Sequence, residues 1–74
     1  MDVDNLKRLL GNRCSSFTDE QLTKLAGFLS TEQQLLDLSD DTLSGILALP
    51  AHDLTFRIAR DAIQGWKRER QGAL

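Results

Sequence analysis

One helix-start signal recurs along this chain, and it constrains the fold more than any other feature. In residues 17–22, FTDEQL, Thr18 can cap a helix and Gln21 stands three residues later, as a capping box requires. Residues 38–43, LSDDTL, repeat the arrangement with Ser39 as the cap. In both places acidic residues fill the first turn, where the helix dipole favours anions. Each stretch therefore predicts the start of a helix.

Two further stretches carry related signals. Residues 29–36, LSTEQQLL, predict a helix with Ser30 as its cap and Gln33 at the box position. Residues 49–54, LPAHDL, predict another with Pro50 at the first helical position, where a missing N–H group costs nothing. The segments between the signals do not match one another, so the recurrence repeats a way of starting a helix and not a solenoid unit.

A first helix stopped by Gly11 completes the pattern. The predicted helices cover residues 3–10, 19–27, 31–37, 40–48 and 51–70. Helices of two or three turns are unstable alone, and a chain of 74 residues can bury only one small core. We therefore expect an all-α fold with residues 1–74 as a single helical domain: a small compact bundle of about five helices, four short and one longer C-terminal helix.

The last helix carries an unusually wide apolar face. Its apolar positions spread over about 200° of a helical wheel at 100° per residue, which exceeds a one-sided stripe. They are Leu54, Phe56, Ile58, Ala59, Ala62, Ile63 and Trp66. We expect this helix to pack centrally with the short helices around it. In a chain this short, the width also suggests a possible homodimer.

The polar arc of the same helix is the best candidate for a binding surface. Residues 1–50 carry four Lys and Arg against eight Asp and Glu, whereas residues 51–74 carry five against three. The basic and polar side chains fall together on one ridge, with the tryptophan near its edge. The predicted partner-binding residues are Arg57, Arg60, Gln64, Trp66, Lys67 and Arg68.

This ridge admits more than one interpretation. Arginine can form paired hydrogen bonds to the carboxylates of an acidic protein or to phosphates. A pI of about 5.1 and acidic short helices weaken the electrostatic gain on which nucleic-acid binding depends. A helix-turn-helix over residues 18–38 would place a second helix without basic residues in the groove. The ridge can also be a solvated face in which Arg57 and Asp61 form an i, i+4 pair.

Catalytic and metal-binding patterns are absent from the sequence. His52 is the only histidine and Cys14 the only cysteine, and neither has a partner at ligand spacing. No disulfide can form within the chain, and no glycine-rich loop or nucleophile motif occurs. We therefore expect no enzyme activity, no catalytic residues, and no metal or cofactor.

No apolar run approaches the roughly 20 residues of a membrane span. We expect a cytoplasmic protein without a membrane partner, and a non-catalytic role as a regulator or adaptor, or as an inhibitor of a partner protein with an acidic surface. A nucleic-acid-binding module that uses the basic ridge is the alternative, and a structural subunit completed by self-association is a third possibility.

Overall fold

Five α-helices and one 3₁₀ helix account for most of residues 1–72, the part of the chain that this computed structural model describes. No strand occurs within these residues. The predicted all-α class, with four short helices and a longer C-terminal one, is confirmed. In chain order the elements are α1 (Val3–Leu10), the 3₁₀ helix (Gly11–Ser16), α2 (Asp19–Phe28), α3 (Glu32–Leu36), α4 (Asp40–Leu47) and α5 (Leu54–Gly72).

Two of the predicted caps form as expected. At the start of α2, Thr18 Oγ1 accepts a hydrogen bond from the Gln21 N–H at 3.1 Å, and Gln21 Oε1 accepts one from the Thr18 N–H at 2.9 Å. At the start of α4, Ser39 Oγ accepts from the Thr42 N–H at 3.2 Å. Thr42 lacks the side-chain amide with which a glutamine would accept a hydrogen bond from the Ser39 N–H, so only one of the two capping-box hydrogen bonds is present there.

The predicted cap of the third helix is wrong by one residue. Thr31, and not Ser30, caps α3, and its box partner is Gln34. Both pairs have the required spacing, because Gln33 and Gln34 follow one another. In the observed register Gln34 Oε1 accepts from the N–H groups of both Ser30 (2.5 Å) and Thr31 (3.2 Å), so one side chain satisfies two backbone donors.

The predicted start of the last helix is also wrong. Pro50 lies in a turn, closed by a hydrogen bond from the Asp53 N–H to the Pro50 carbonyl at 3.0 Å. The helix begins at Leu54, where Asp53 Oδ1 accepts from the Thr55 N–H at 2.8 Å. An Asp at the N-cap satisfies a free backbone donor, which Leu49, the residue before Pro50, cannot do.

The backbone adopts a positive φ angle directly after two of the helices. Gly11 follows α1 with a φ of 58°, a conformation that glycine adopts without a steric cost, and the unpredicted 3₁₀ helix begins there. Ala48 follows α4 with a φ of 55° and is the only non-glycine residue with positive φ in the described chain. Glycine is the usual residue at such a helix end, so Ala48 carries backbone strain.

A single apolar cluster holds the helices together. Leucines from every short helix meet Phe56, Ala59, Ile63 and Trp66 of α5. The two leucines of α1 that face inwards, Leu6 and Leu10, are almost fully buried. No polar or charged residue of the described chain is buried in this core. Tertiary packing therefore stabilises helices as short as five residues.

The packing contacts follow a closed sequence. Helix α1 packs on α2, α2 on α4, α4 on α5, α5 on the 3₁₀ helix, and the 3₁₀ helix on α1. The expectation that the last helix is surrounded by the others is wrong, because α5 completes this ring and keeps one side towards solvent. The charged side chains on that side explain why it is not covered.

Candidate functional site

The solvent side of α5 holds five of the six predicted site residues. Its members lie within about 120° of the helical wheel, opposite the buried face. We call this surface the outer face of α5. It consists of Arg57, Arg60, Asp61, Gln64, Lys67 and Arg68, with Asp40 of α4 at its border.

The two ends of the outer face carry open positive charges. Arg57 and Arg68 are exposed, and neither forms an ion pair with any residue in 1–72. Eleven residues at 1.5 Å per residue place them about 16 Å apart along the helix. Since α5 is a continuous helix of 19 residues, this spacing is set before any partner arrives.

The two cations between these ends, Arg60 and Lys67, already contact other groups of the chain. Lys67 is half-buried, and its Nζ donates a hydrogen bond to the Leu38 carbonyl between α3 and α4. The Arg60 side chain is 30% exposed, and its Nη2 lies 3.3 Å from Asp61 Oδ1. Its Nε is buried without a hydrogen-bond partner among the described residues. Lys67 therefore ties α5 to the segment between α3 and α4. Both side chains are less available for a partner than Arg57 and Arg68.

Acidic groups interrupt the outer face. Gln64 Nε2 lies 3.4 Å from both carboxylate oxygens of Asp40. The i, i+4 pair expected between Arg57 and Asp61 is not the observed contact, because Asp61 meets Arg60 instead. The face is thus a mixed pattern with positive ends and carboxylates between them.

Trp66 lies apart from the other predicted site residues. It is only 3% exposed, and its Nε1 donates to the Leu9 carbonyl at 2.7 Å. Two residues along a helix correspond to 200°, so Trp66 faces away from Arg68 and towards α1. The structure therefore places the indole in the core.

Sequence reasoning missed two exposed apolar residues beside the outer face. Leu54 is 69% exposed and Ile58 is 47% exposed, although both belong to the apolar arc that we expected to be buried. They are four residues apart, so they share one side of the helix next to Arg57. Both lie in the first two turns of α5, whereas Gly65, on the same side of the helical wheel, is buried under Arg13 further along the helix. The sequence carried no signal for them, because their exposure depends on which elements cover that end of α5.

The described residues offer no site for a metal ion: no three His, Cys, Asp or Glu side chains converge within residues 1–72. None of the helices in that part of the chain is both long and apolar enough to cross a membrane. No family model, curated protein or solved structure matches this chain significantly. Function is therefore inferred from the geometry of the chain itself.

Proposed function

We propose that this chain is a non-catalytic protein-binding regulator or adaptor that contacts an acidic partner through the outer face of α5. One observation supports the proposal above the others. An exposed apolar pair, Leu54 and Ile58, lies beside Arg57 on a continuous helix. The same helix carries Arg68, and neither arginine forms an ion pair within residues 1–72. Apolar anchors flanked by arginine are typical of protein interfaces.

Burial of the apolar pair supplies part of the binding energy. Full burial of a Leu or Ile side chain contributes about 1.5–3 kcal/mol. Leu54 is about one third covered and Ile58 about half, so roughly 1–2 kcal/mol remains for Leu54 and roughly 0.7–1.4 kcal/mol for Ile58. The open guanidiniums can each hold a carboxylate by paired hydrogen bonds. A partner that suits both features has an apolar patch with carboxylates placed to meet Arg57 and Arg68.

The carboxylates of the outer face favour a protein over a nucleic acid. Asp40 and Asp61 lie between the open cations, and a phosphate backbone that follows the helix would meet both of them. The helix-turn-helix alternative is also disfavoured by the length and charge of its second helix. Its second helix would be α3, which has only five residues and no basic side chain, and its Glu32 pairs with Arg70 at 3.1 Å.

The experiment identifies the partner first and then tests the face. A photo-crosslinking amino acid at Gln64 in the native host captures the species that covers the outer face, and mass spectrometry identifies it. The purified partner is then titrated calorimetrically with the double variant Arg57→Glu and Arg68→Glu. We expect the affinity to fall at least tenfold, because both open cations become repulsive.

A matched control separates the face from general charge. Lys7→Glu with Lys24→Glu makes the same change in net charge on the exposed sides of α1 and α2. We expect this control to bind normally. An equal loss in both double variants would show that the outer face has no special role. Crosslinks to DNA or RNA, with a steep linear fall of log affinity against log salt, would support the nucleic-acid alternative instead.

A homodimer remains a prediction. Within one chain the rest of the apolar arc is covered, so α5 offers Leu54 and Ile58 to a second copy. Phe28 of α2 is the other large apolar side chain exposed within residues 1–72. Sedimentation over a wide concentration range measures the association directly. If the homodimer forms through this pair, Leu54→Ser with Ile58→Ser should weaken it, whereas unchanged association would place the dimer contact elsewhere.

A further inference from the structure

A second surface with unused binding groups lies on the opposite side of α5 from the outer face. It is a cavity of about 620 Å³ between the 3₁₀ helix and the C-terminal half of α5. The buried side chains of Leu10 and Trp66 form its floor, and the more exposed Arg13, Glu69 and Arg70 stand at its rim. Its volume falls in the range of ligand sites.

The guanidinium of Arg13 is held at this rim by two contacts. Its Nη2 lies 2.5 Å from Glu69 Oε1. The same group lies next to Gly65, where an added Cβ would come within 2.6 Å of Nη1. Glycine at this buried helical position therefore makes room for the arginine, since any other residue would push it away.

The guanidinium of Arg70 is held independently. It lies over the Trp66 ring, 5.2 Å from the ring centroid, and its Nη2 is 3.1 Å from Glu32 Oε1. Stacking on an indole restricts a guanidinium without using its N–H groups. Two guanidiniums from different elements are thus set at one cavity before any ligand is present, which lowers the entropy cost of binding.

Most donors of both groups remain open. Each arginine has five N–H donors, and within residues 1–72 each has only its Nη2 group close to a glutamate. Both ion pairs are substantially exposed, so they contribute little and can exchange for an incoming carboxylate. The two rim arginines are matched by Glu69 and by Glu32, which pairs with Arg70. Arg8, in the lining of an adjoining cavity, leaves one cationic side chain in excess over the two linings together, on a chain whose net charge is −2.

The surroundings favour an extended ligand over a small enclosed one. A neighbouring cavity of about 420 Å³ shares Leu9 with the first and adds Arg8 to its lining. The Arg70–Glu32 ion pair joins the two, because Arg70 lines the first and Glu32 the second. The exposed rim leaves much of a small ligand in water, whereas a peptide can continue from one cavity into the other.

The geometry points to a binding site for an acidic peptide segment, with its carboxylates on Arg13 and Arg70 and its backbone directed past Leu9. This goes beyond the proposed function, because the site shares no residue with the outer face. Each site can fail without the other.

Trp66 makes the test direct. The chain has one tryptophan and no tyrosine, so intrinsic fluorescence reports from the cavity floor alone. The full chain is titrated at low salt with an acetylated, amidated tetraglutamate peptide, with the tetraglutamine peptide of equal length, and with inorganic phosphate. Calorimetry measures the same binding without relying on the indole. We expect tetraglutamate to change the Trp66 emission with saturation, and the other two to bind at least tenfold more weakly.

Variants locate the site. Arg13→Gln and Arg70→Gln remove one guanidinium each and should each weaken tetraglutamate binding about tenfold, the effect of a lost charge-assisted hydrogen bond. Lys24→Gln removes one positive charge from the exposed side of α2, away from the linings of both cavities, and should leave binding unaltered. Circular dichroism confirms that each variant is folded. The proposal is overturned by equal binding of the two peptides, by phosphate binding as tight as that of tetraglutamate, by equal losses in all three variants, or by no binding at millimolar peptide.

Discussion

Gly65→Ala tests how the close contact between α5 and the 3₁₀ helix is made. Gly65 is a buried residue in the interior of α5, and the Arg13 guanidinium covers it. A Cβ there would lie 2.6 Å from Arg13 Nη1 and 2.8 Å from its Cζ, both closer than real contacts allow. The obstructing atoms are the far end of a flexible side chain. We therefore expect Arg13 to swing away and lose its contact with Glu69, while the helix stays in place.

The expected change in stability is a difference between two terms. Alanine is about 1 kcal/mol better than glycine in a helix interior. The substitution also causes two losses. The exposed Arg13–Glu69 ion pair contributes about 0–1 kcal/mol, and the stem of the Arg13 side chain loses its packing. The net gain should lie between about 0 and 1 kcal/mol by these magnitudes. Gly45→Ala is the control, because Gly45 is helical, exposed and has nothing within 4 Å of its added Cβ.

Thermal unfolding followed by circular dichroism measures both variants. In a domain of this size about 1 kcal/mol shifts Tm by about 4–8 °C, so the control should gain several degrees and Gly65→Ala less. In an Arg13→Ala background the Gly65→Ala gain should rise to that of the control. Equal gains in both backgrounds would show that Arg13 does not rest on Gly65. A loss of several degrees would mean that rigid backbone, and not a side chain, opposes the new methyl group.

Three further predictions follow from the helix ends and from the outer face. Thr31→Ala should lower the free energy of unfolding by about 0.5–2 kcal/mol and Ser30→Ala by much less; urea titration of the pair decides which residue caps α3. Ala48→Gly should raise that free energy by up to about 1 kcal/mol because it relieves the positive φ, and Gly11→Ala should lower it by about 1–3 kcal/mol. If Ala48→Gly lowered the free energy of unfolding, or Gly11→Ala raised it, the positive φ assigned to that position would be contradicted. Arg60→Met keeps the buried stem of the side chain and removes an unpartnered Nε. The Tm of this variant should therefore equal or exceed that of the parent. A clear fall in Tm would mean that the Arg60 guanidinium has a stabilising partner.

Local chemistry made much of the helical pattern predictable. A cap such as Thr18 or Ser39 bonds to a backbone group three residues away, so all the atoms involved lie in one short stretch of sequence. Positive φ at Gly11 is equally local, because it depends on the missing Cβ. The local rule failed at two helix starts. Ser30 and Thr31 both have a glutamine three residues later, so the sequence offered two registers, and Pro50 lies in a turn while α5 begins at Leu54.

The candidate sites depended on contacts between distant parts of the chain. The helical wheel correctly grouped Arg57, Gln64 and Arg68 on one face, because the period of α5 is set by its own backbone. The helical wheel could not predict which of the cations on this face remain available for a partner. The Leu38 carbonyl that receives Lys67 comes from another segment, 29 residues earlier in the chain.

By itself, the sequence determined that the chain is helical, where most helices begin, and which side of α5 is charged, because these properties arise from hydrogen bonds and side-chain directions within a few residues. The tertiary structure alone decided that Trp66 bonds to Leu9, 57 residues away, and that Leu54 and Ile58 stay exposed. It also brought Arg13 onto Gly65 at the rim of a cavity. Burial depends on which elements cover a position, and that follows from the packing of the whole ring of helices.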